Sequence, residues 1–434
     1  MLGSFPICYE TAGDPANPCI LLIAGIGAQL LNWPKPFIQS LVDNGFHVVS
    51  YDNRDAGLSK HYDEYGAPSI QDLLQGKLPE KFYTLNDMAN DARLLLDELK
   101  ISAAHIVGIS MGGMIAQLVA INYPLRVKSL TCIATSSSEK GLPDSSPDVQ
   151  QFFFSPKRDK ASTKADHIKE KAALYKVYNH PVFFDEDEVN GLHEQLYDRN
   201  HDPVGFMRQM IAMAVSSPRT QQLKTLDIPA LIIHGDYDPV FPIEHGRQLA
   251  GAIRESQLIE LAKFGHGLPG HFCEIVAKHM IEFYKKIVVS AKAELVKRLL
   301  DKVWSEGDLK LINTLIANNY TIYNDALDPL EGKVLDHEAF KKRVIASRQA
   351  FPDLHFEIKQ LYTTTEGKVV VTWFMQGTND GDIPGMRASH KKINVPGMTV
   401  YYFNNEKISG HWQVFDHLVM FNQLGITHFD PTAH

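Results

Sequence analysis

Along the first two-thirds of the chain, short runs of consecutive apolar residues alternate with stretches in which apolar residues recur every three or four positions. The runs are ILLIAG (20–25), FHVVSY (46–51), AHIVGI (104–109), SLTCIA (129–134), ALIIHG (230–235) and SQLIEL (256–261). Continuous apolarity, as opposed to alternation, marks strands buried on both faces. Between them, LNDMANDARLLLDEL (85–99) puts Leu85, Met88, Ala92, Leu95, Leu96 and Leu99 on one helical face. Similar helices fit 113–122, 243–253 and 271–286. Strand and helix in alternation predict an α/β fold with a doubly wound, mostly parallel sheet over residues 1–288.

The alternation stops between about 136 and 226, where the loop SSSEKGLPDSSPD leads into helical stretches rich in large apolar residues: QFFF, VFF and GFMRQMIAMAV. An insertion after a strand's carboxyl end falls where open α/β sheets bind ligands, so a helical cap is expected there. After residue 288 the pattern changes again. A helix, AELVKRLLDKVWSEGDLKLINTLI, precedes the β-branched and aromatic runs LHFEIKQLY, KVVVTWFMQGT, MTVYYF and KISGHWQVF. Helices followed by an antiparallel meander predict a separate α+β domain over 292–434. KKIVVSAKAE, between the two, reads as nearly continuous helix.

Composition narrows the function classes. The 434 residues carry a net charge of −8, with no basic run, which argues against nucleic acid or anionic membrane as partner. Cys8, Cys19, Cys132 and Cys273 are scattered without a CxxC pair, so a reducing compartment is expected and no zinc site; no cofactor or metal is expected. The opening MLGSFPICYETAG lacks the basic head and apolar core of a secretory signal. The most apolar stretch, 104–121, contains His105, Ser110, Gln117 and three glycines and does not read as a membrane span. A cytoplasmic protein is expected.

The first candidate chemistry lies in HIVGISMGG (105–113). Gly108-x-Ser110-x-Gly112 is weak as a bare pattern, but here it follows a buried-type strand and opens a helix, the setting of a nucleophile elbow. The helix amino terminus at Met111 offers backbone N–H groups to a developing oxyanion. A serine hydroxyl needs a base to take its proton. In chain order Ser, acid, His, the loops after the last two strands of this sheet supply Asp238 and His266. Asp236 is the rival acid, but it directly follows Gly235 and suits a turn better. His245, His271 and His279 are rival bases, each in or at the start of a helical pattern, whereas His266 is flanked by glycines in a loop. Asp52 and Arg54 in YDNRDAGLS read as a paired, structural loop.

These motifs carry a resemblance. YDNRDAGLS (51–59), YTLNDMANDA (83–92) and GISMGG (108–113) resemble the α/β-hydrolase fold superfamily, in the branch of aclacinomycin methylesterase and related small-molecule esterases. The resemblance implies Ser110 as nucleophile, His266 as general base, Asp238 as the residue orienting it, and the N–H groups of Ile26 and Met111 as the oxyanion hole. AGIG (24–27) departs from the many members with a histidine before the first glycine. Phe, Met and Leu dominate the cap stretch, so the expected substrate is an apolar or aromatic ester or lactone. The same triad also serves C–C bond hydrolases and cofactor-free haloperoxidases, and a hydrolase-fold ligand-binding protein is a further alternative.

The second candidate is Asp416. Period two along KISGHWQVFD aligns Ile408, Gly410, Trp412, Val414 and Asp416, so a partly desolvated carboxylate, suited to acid/base work, is expected. Asp416 also directly precedes the helical pattern HLVMFNQL, where aspartate is a favoured N-cap. VWSEGDL (303–309), AFPDLHFEI (350–358), WFMQGTNDG (373–381) and ISGHWQVFD…QLG (408–425) resemble the SnoaL-like polyketide cyclases, which share the nuclear-transport-factor-like cone fold. That resemblance implies a pocket, an acid/base role for Asp416 in ring closure, and a homodimer through the second domain. Asn379, Tyr323 and Asn324 stand where many members have histidines.

Overall fold

The computed structural model describes residues 6–153, 163–326, 328–364, 366–383 and 386–426. Phe154, the last residue of QFFF, and the tail from 427 lie outside the described residues. The chain divides into two compact units, Met1–Phe283 and Tyr284–His434, and the division falls within the helix Gly270–Arg298.

The first unit is built on β1 (Tyr9–Ala12), β2 (Cys19–Ile23), β3 (His47–Tyr51), β4 (Ala104–Ile109), β5 (Val127–Ile133), β6 (Ala230–Gly235) and β7 (Gln257–Leu261). Their order across the sheet is β1-β3-β2-β4-β5-β6-β7. All neighbours are parallel except β1, which runs antiparallel to β3. The chain passes from β2 outward to β3 and then returns to β4 on the other side of β2. The loops after β2 and β4 therefore diverge at a topological switch point, the place where open α/β sheets bind ligands. Strands β2, β3 and β6 are buried along their whole length, as helices on both faces require. Edge strand β1, with its half-exposed residues, has no continuous apolar run to announce it.

Helix Leu85–Glu98 starts at a capping box in which Thr84 and Asp87 bond each other's backbone, and it buries Leu85, Met88, Ala92, Leu95 and Leu96. Helix Met111–Asn122 is buried from Met111 through Ala120. Between β5 and β6 lie the helices Pro147–Phe153, Lys164–Tyr178, Glu186–Arg199, Pro203–Ala214 and Thr220–Leu223.

The second unit holds β8 (Ile316–Asp325), β9 (Val334–Leu335), β10 (His355–Thr363), β11 (Val369–Thr378), β12 (Lys392–Asn404) and β13 (Lys407–Phe415), in the order β10-β11-β12-β13-β8-β9. The meander β10 to β13 is antiparallel as expected, but β8 joins β13 in parallel, so the sheet is mixed. The sequence pattern predicts helix up to residue 316 and neither strand β8, IANNYTIYND, nor helix His337–Ala350, both of which the structure contains. Bulges between Ile358 and Gln360 and between Tyr402 and Phe403 bend the sheet. Phe340 and Val344 pack against its inner face with Val371, Trp373 and Val395. The Trp373 indole lies over Gly397 and donates Nε1–H to Thr399 Oγ1 at 2.8 Å. Among the described residues no helix is long and apolar enough to cross a membrane, and the four cysteines are free.

A Cβ at Gly397 would stand 2.2 Å from the buried Trp373 ring. Gly397→Ala is therefore expected to destabilise the second unit by about 1–3 kcal/mol, read as a lower urea midpoint for the transition that carries the near-ultraviolet tryptophan signal.

Candidate functional site

Ser110 occupies the single residue between β4 and helix Met111–Asn122, at φ 57° and ψ −125°. A side chain in that region costs on the order of 1–3 kcal/mol and is held only by its surroundings. Here the Ser110 N–H donates to the Ile133 carbonyl at 3.0 Å and the Thr135 hydroxyl donates to the Ser110 carbonyl at 2.6 Å. A Cβ at Gly108 would fall 2.1 Å from the Gly112 carbonyl oxygen, and one at Gly112 would fall 2.0 Å from the Ile23 carbonyl oxygen. Glycine is the residue that lets helix, turn and strands meet so closely.

The loop after β6 separates its two acids. Asp236 Oδ1 accepts from the Lys263 N–H at 2.6 Å, a turn-forming role. Asp238 Oδ1 accepts from the N–H groups of Val240 (2.8 Å) and Phe241 (3.0 Å), and both its oxygens lie 3.0 Å from His266 Nδ1. His266 is anchored by its own N–H, which donates to the Tyr178 carbonyl at 3.0 Å, and its Nε2 stands 2.9 Å from Ser110 Oγ. All three side chains are buried. Burial by itself pushes the Asp238 carboxyl up. The His266 imidazole, in charge and hydrogen bond, outweighs it together with His234 and the Phe241 N–H, so the group sits below the ordinary carboxylate value. A carboxylate at Nδ1 places the proton there and leaves the Nε2 lone pair toward the Ser110 hydroxyl. The rival histidines are engaged elsewhere or sit in helix: His245 bonds Ser136 Oγ and the Pro143 carbonyl, His271 stacks on Phe183 at 4.2 Å, and His279 belongs to Gly270–Arg298.

Ile26 follows β2, and Gly25 beside it comes so near the Ser110 turn that a Cβ there would lie 3.3 Å from Ser110 Cβ. Met111 is the first residue of its helix, where the N–H has no carbonyl within the helix to bond. The AGIG loop, which has no histidine, is bonded by Gln209. Its Oε1 accepts from the Gly27 N–H at 2.7 Å, and its Nε2 donates to the Arg54 carbonyl at 2.7 Å. Nothing in the sequence marked this residue except one carboxamide inside the apolar run GFMRQMIAMAV. Its neighbour Arg208 forks onto Asp55 at 2.8 and 2.9 Å. The Asp52–Arg54 pair needs correction: Asp52 bonds Arg199 at 2.7 Å and the N–H groups of Leu30 and Leu58, while Arg54 forks onto Asp91 at 2.7 and 2.8 Å. Asp55, His61 and Asp202 bring ligating atoms within 4.8 Å of one another. Their charge is already met by Arg208, which also reaches Asp202 at 3.4 Å.

Ser110 and His266 open into a cavity of about 160 Å³ walled by Ile26, Trp33, Phe153, Tyr178 and Phe183, an apolar and aromatic surround. In the second unit, Asp416 lies just beyond β13 at the edge of an open concavity of about 670 Å³ that also touches Trp373, Phe415 and His417. The expected desolvation is not found there: Asp416 is exposed, and its Oδ1 accepts from the Val419 N–H at 2.9 Å, an N-cap contact. Pairing between β13 and β8 shifts register twice, so simple alternation fails. His411 is buried instead, with Nδ1 2.7 Å from Tyr320 Oη and Nε2 3.3 Å from Asp325 Oδ2. Arg343 ties Asp325 to Asp328. Asn379 is fully buried, its amide donating to Gly381 and its oxygen accepting from Ser389 N–H.

A mostly parallel sheet with a strained serine between strand and helix, and an acid and a histidine in the loops after its last two strands, is the architecture of the α/β hydrolases. Residues 18–269, more than half of the chain, match the alpha/beta hydrolase fold family, and the chain belongs to it. Residues 294–424 match the SnoaL-like polyketide cyclase family. Among individual proteins, the chain is similar to rhodomycin D methylesterase DnrP of Streptomyces peucetius, 30% identical over 282 residues, covering 60% of this chain and 88% of the relative. It is also 29% identical over 284 residues to rhodomycin D methylesterase DauP of Streptomyces sp. (strain C5), with coverage of 60% and 88%. The enol-lactonase from Burkholderia xenovorans LB400 shares the fold, with a TM-score of 0.51, 22% identity, and coverage of 64% of this chain and 96% of that one.

The helix carrying Arg208 and Gln209 is capped by Asp202, which also bonds His61 Nδ1 at 2.6 Å. Burial pushes the Asp202 carboxyl up, yet the hydrogen bond from His61 and the Gly205 N–H bring it down to about 2. A carboxyl lowered on folding stabilises the fold above its unfolded value and loses that contribution as pH falls through the folded one. Asp202→Asn, which keeps the cap, is expected to cost about 2 kcal/mol at neutral pH. It is also expected to flatten the loss of stability between about pH 4 and pH 2, as measured by denaturant melts across that range.

Proposed function

We propose that the chain is a serine hydrolase of a carboxylic ester or lactone with an apolar or aromatic, polyketide-like body. The observation that carries this reading is the hydrogen-bonded line from Ser110 Oγ through His266 to Asp238 at the floor of an aromatic cavity. In it, His266 Nε2 takes the hydroxyl proton as Ser110 Oγ attacks the carbonyl carbon. Asp238 steadies the imidazolium, and the N–H groups of Ile26 and Met111 receive the oxyanion. Collapse expels the alcohol, which leaves with the proton from His266. Water, activated by the same imidazole, then releases the acid and restores Ser110. The likeness to two methylesterases supports a methyl ester as the bond cleaved.

In this reading residues 1–288 form the hydrolase domain, with 136–226 as its cap, and 292–434 form a second domain that takes up a related molecule. Asp416 and His417, at the edge of an open concavity, are its acid/base candidates. A homodimer through this domain is proposed with it, supported by the exposure of Tyr323, Tyr362 and Val414 on the sheet.

Intact-mass analysis after exposure to a fluorophosphonate tests the assignment. One rapid adduct is expected on the wild type and none on Ser110→Ala or His266→Ala. Asp238→Asn is expected to lower kcat on the order of 10⁴-fold, by the loss that a mis-set imidazole tautomer brings. Equal labelling of the wild type and Ser110→Ala would refute the nucleophile.

A further inference from the structure

Behind the Asp238 loop lies a second imidazole, which takes no part in the proton transfers described above. His234 is on β6, one residue before its end, and is fully buried. Its Nε2 stands 2.7 Å from the Phe241 carbonyl oxygen and 3.5 Å from Asp238 Oδ2. A carbonyl oxygen only accepts, so Nε2 carries the proton. The shorter contact is a hydrogen bond. The longer one is beyond a full bond, but it turns the positive end of the N–H dipole toward the carboxylate. Nδ1 has no hydrogen-bond partner and lies under helix Ile243–Ala252, where a Cβ at Gly246 would fall 2.8 Å from it.

The residue that His234 holds is itself part of the site. Phe241 also supplies the N–H that Asp238 Oδ1 accepts at 3.0 Å, and its ring centroid is 5.6 Å from that of His266. Asp238 to Phe241 is thus a closed turn. Its first residue binds the N–H groups of Val240 and Phe241, and its last is tied back to β6 by His234. That bond fastens the turn to the sheet, and with it the two carboxylate oxygens that stand 3.0 Å from His266 Nδ1.

The charge of the ring matters as well as its place. The titratable groups around it are Asp238 and His266 on the loop side, His245 on the helix above, and Glu260 opposite it on β7. Glu260 is engaged by Arg247 through two bonds of 2.8 Å. Burial pushes His234 below the ordinary imidazole value, against the pull of the Asp238 charge, so the ring is neutral at physiological pH. A neutral ring leaves the carboxylate's charge to the imidazolium that forms on His266. A second imidazolium would compete for it.

Resting on the hydrolase reading above, we propose that His234 is a positioning residue of the triad: its Nε2–H holds the Asp238–Phe241 turn closed and so keeps the carboxylate aimed at His266 Nδ1. It neither gives up nor takes a proton in the reaction.

Two readouts test this, one of them independent of turnover. The first is hydrolysis of 4-nitrophenyl butyrate. His234→Leu is expected to lower kcat about tenfold, the effect of one hydrogen bond, with KM within about twofold, as for an interaction that acts in the transition state. His234→Gln places a side-chain N–H at the same number of bonds from Cβ and is expected to stay within about threefold of wild type. The second readout is the low-field proton resonance of His266 Nδ1–H, with the tautomer of His234 read from nitrogen couplings in histidine-labelled protein. Wild type and His234→Gln are expected to show the His266 resonance and His234→Leu to lose it. His234 itself is expected to stay protonated on Nε2 alone between about pH 6 and pH 8. His234→Phe, which keeps a ring without a donor, stands in for His234→Leu if that variant does not fold.

A wild-type proton on Nδ1 of His234 would overturn the proposal, as would His234→Leu with wild-type kcat and an unchanged His266 resonance. So would His234→Gln as impaired as His234→Leu, which marks the ring as packing. The expected resonances without turnover by wild type sink the hydrolase reading and leave the positioning role standing. Turnover that none of the variants alters does the reverse.

Discussion

Helix Met111–Asn122 lies against the sheet at backbone distance, and the geometry around Ser110 follows from that contact. Gly112 faces the Ile23 carbonyl of β2, Gly108 faces the Gly112 carbonyl, and Gly113 faces the Thr135 side chain. With no side chain to spare at any of these contacts, the chain has one residue in which to turn from strand to helix. Ser110 is therefore driven to positive φ. The same approach brings the ends of β2 and β4 together, so that the loop bearing Gly25 and Ile26 sits at the serine. The strain on one residue is thus the local cost of a contact that packs an entire buried helix, and that packing keeps the turn from relaxing.

How much of this was legible depends on whether the signal was local. Strands β2 to β6 are buried on both faces, so their apolar runs needed no partner to be recognised. The elbow glycines, and Asp238 and His266 in the loops at the ends of β6 and β7, are likewise read from short stretches. The second unit resisted for a physical reason. β8 carries polar residues on its exposed positions and pairs with β13, some ninety residues later, in parallel. Bulges shift the alternation along β13, so that His411 turns inward while Asp416, beyond the strand, stays in solvent. Period-two reasoning fails wherever an extra residue is inserted.

Side-chain clamps were the other unread part. Gln209, Arg199 and Arg208 act on segments some 150 to 180 residues away, and no pattern of neighbours records such a bond. Asp52 and Arg54 show the converse: two charges two residues apart invite a pairing, but the chain leaves the strand and turns at Arg54, and each finds another partner, Arg199 and Asp91.

Gln209 also fixes the helix that carries it. One end of its carboxamide holds the Gly27 backbone beside the serine, and the other holds the Arg54 backbone. Arg208, one residue earlier, binds the Asp55 loop. A helix fastened to the sheet's own loops at two successive residues is masonry, not a door. Helix Pro203–Ala214 is thus tied to the loops after β2 and β3, although in the chain it lies among the helices inserted between β5 and β6. A hinge that moved it would pull Gly27, and the loop after β2 with it, away from its place beside Ser110.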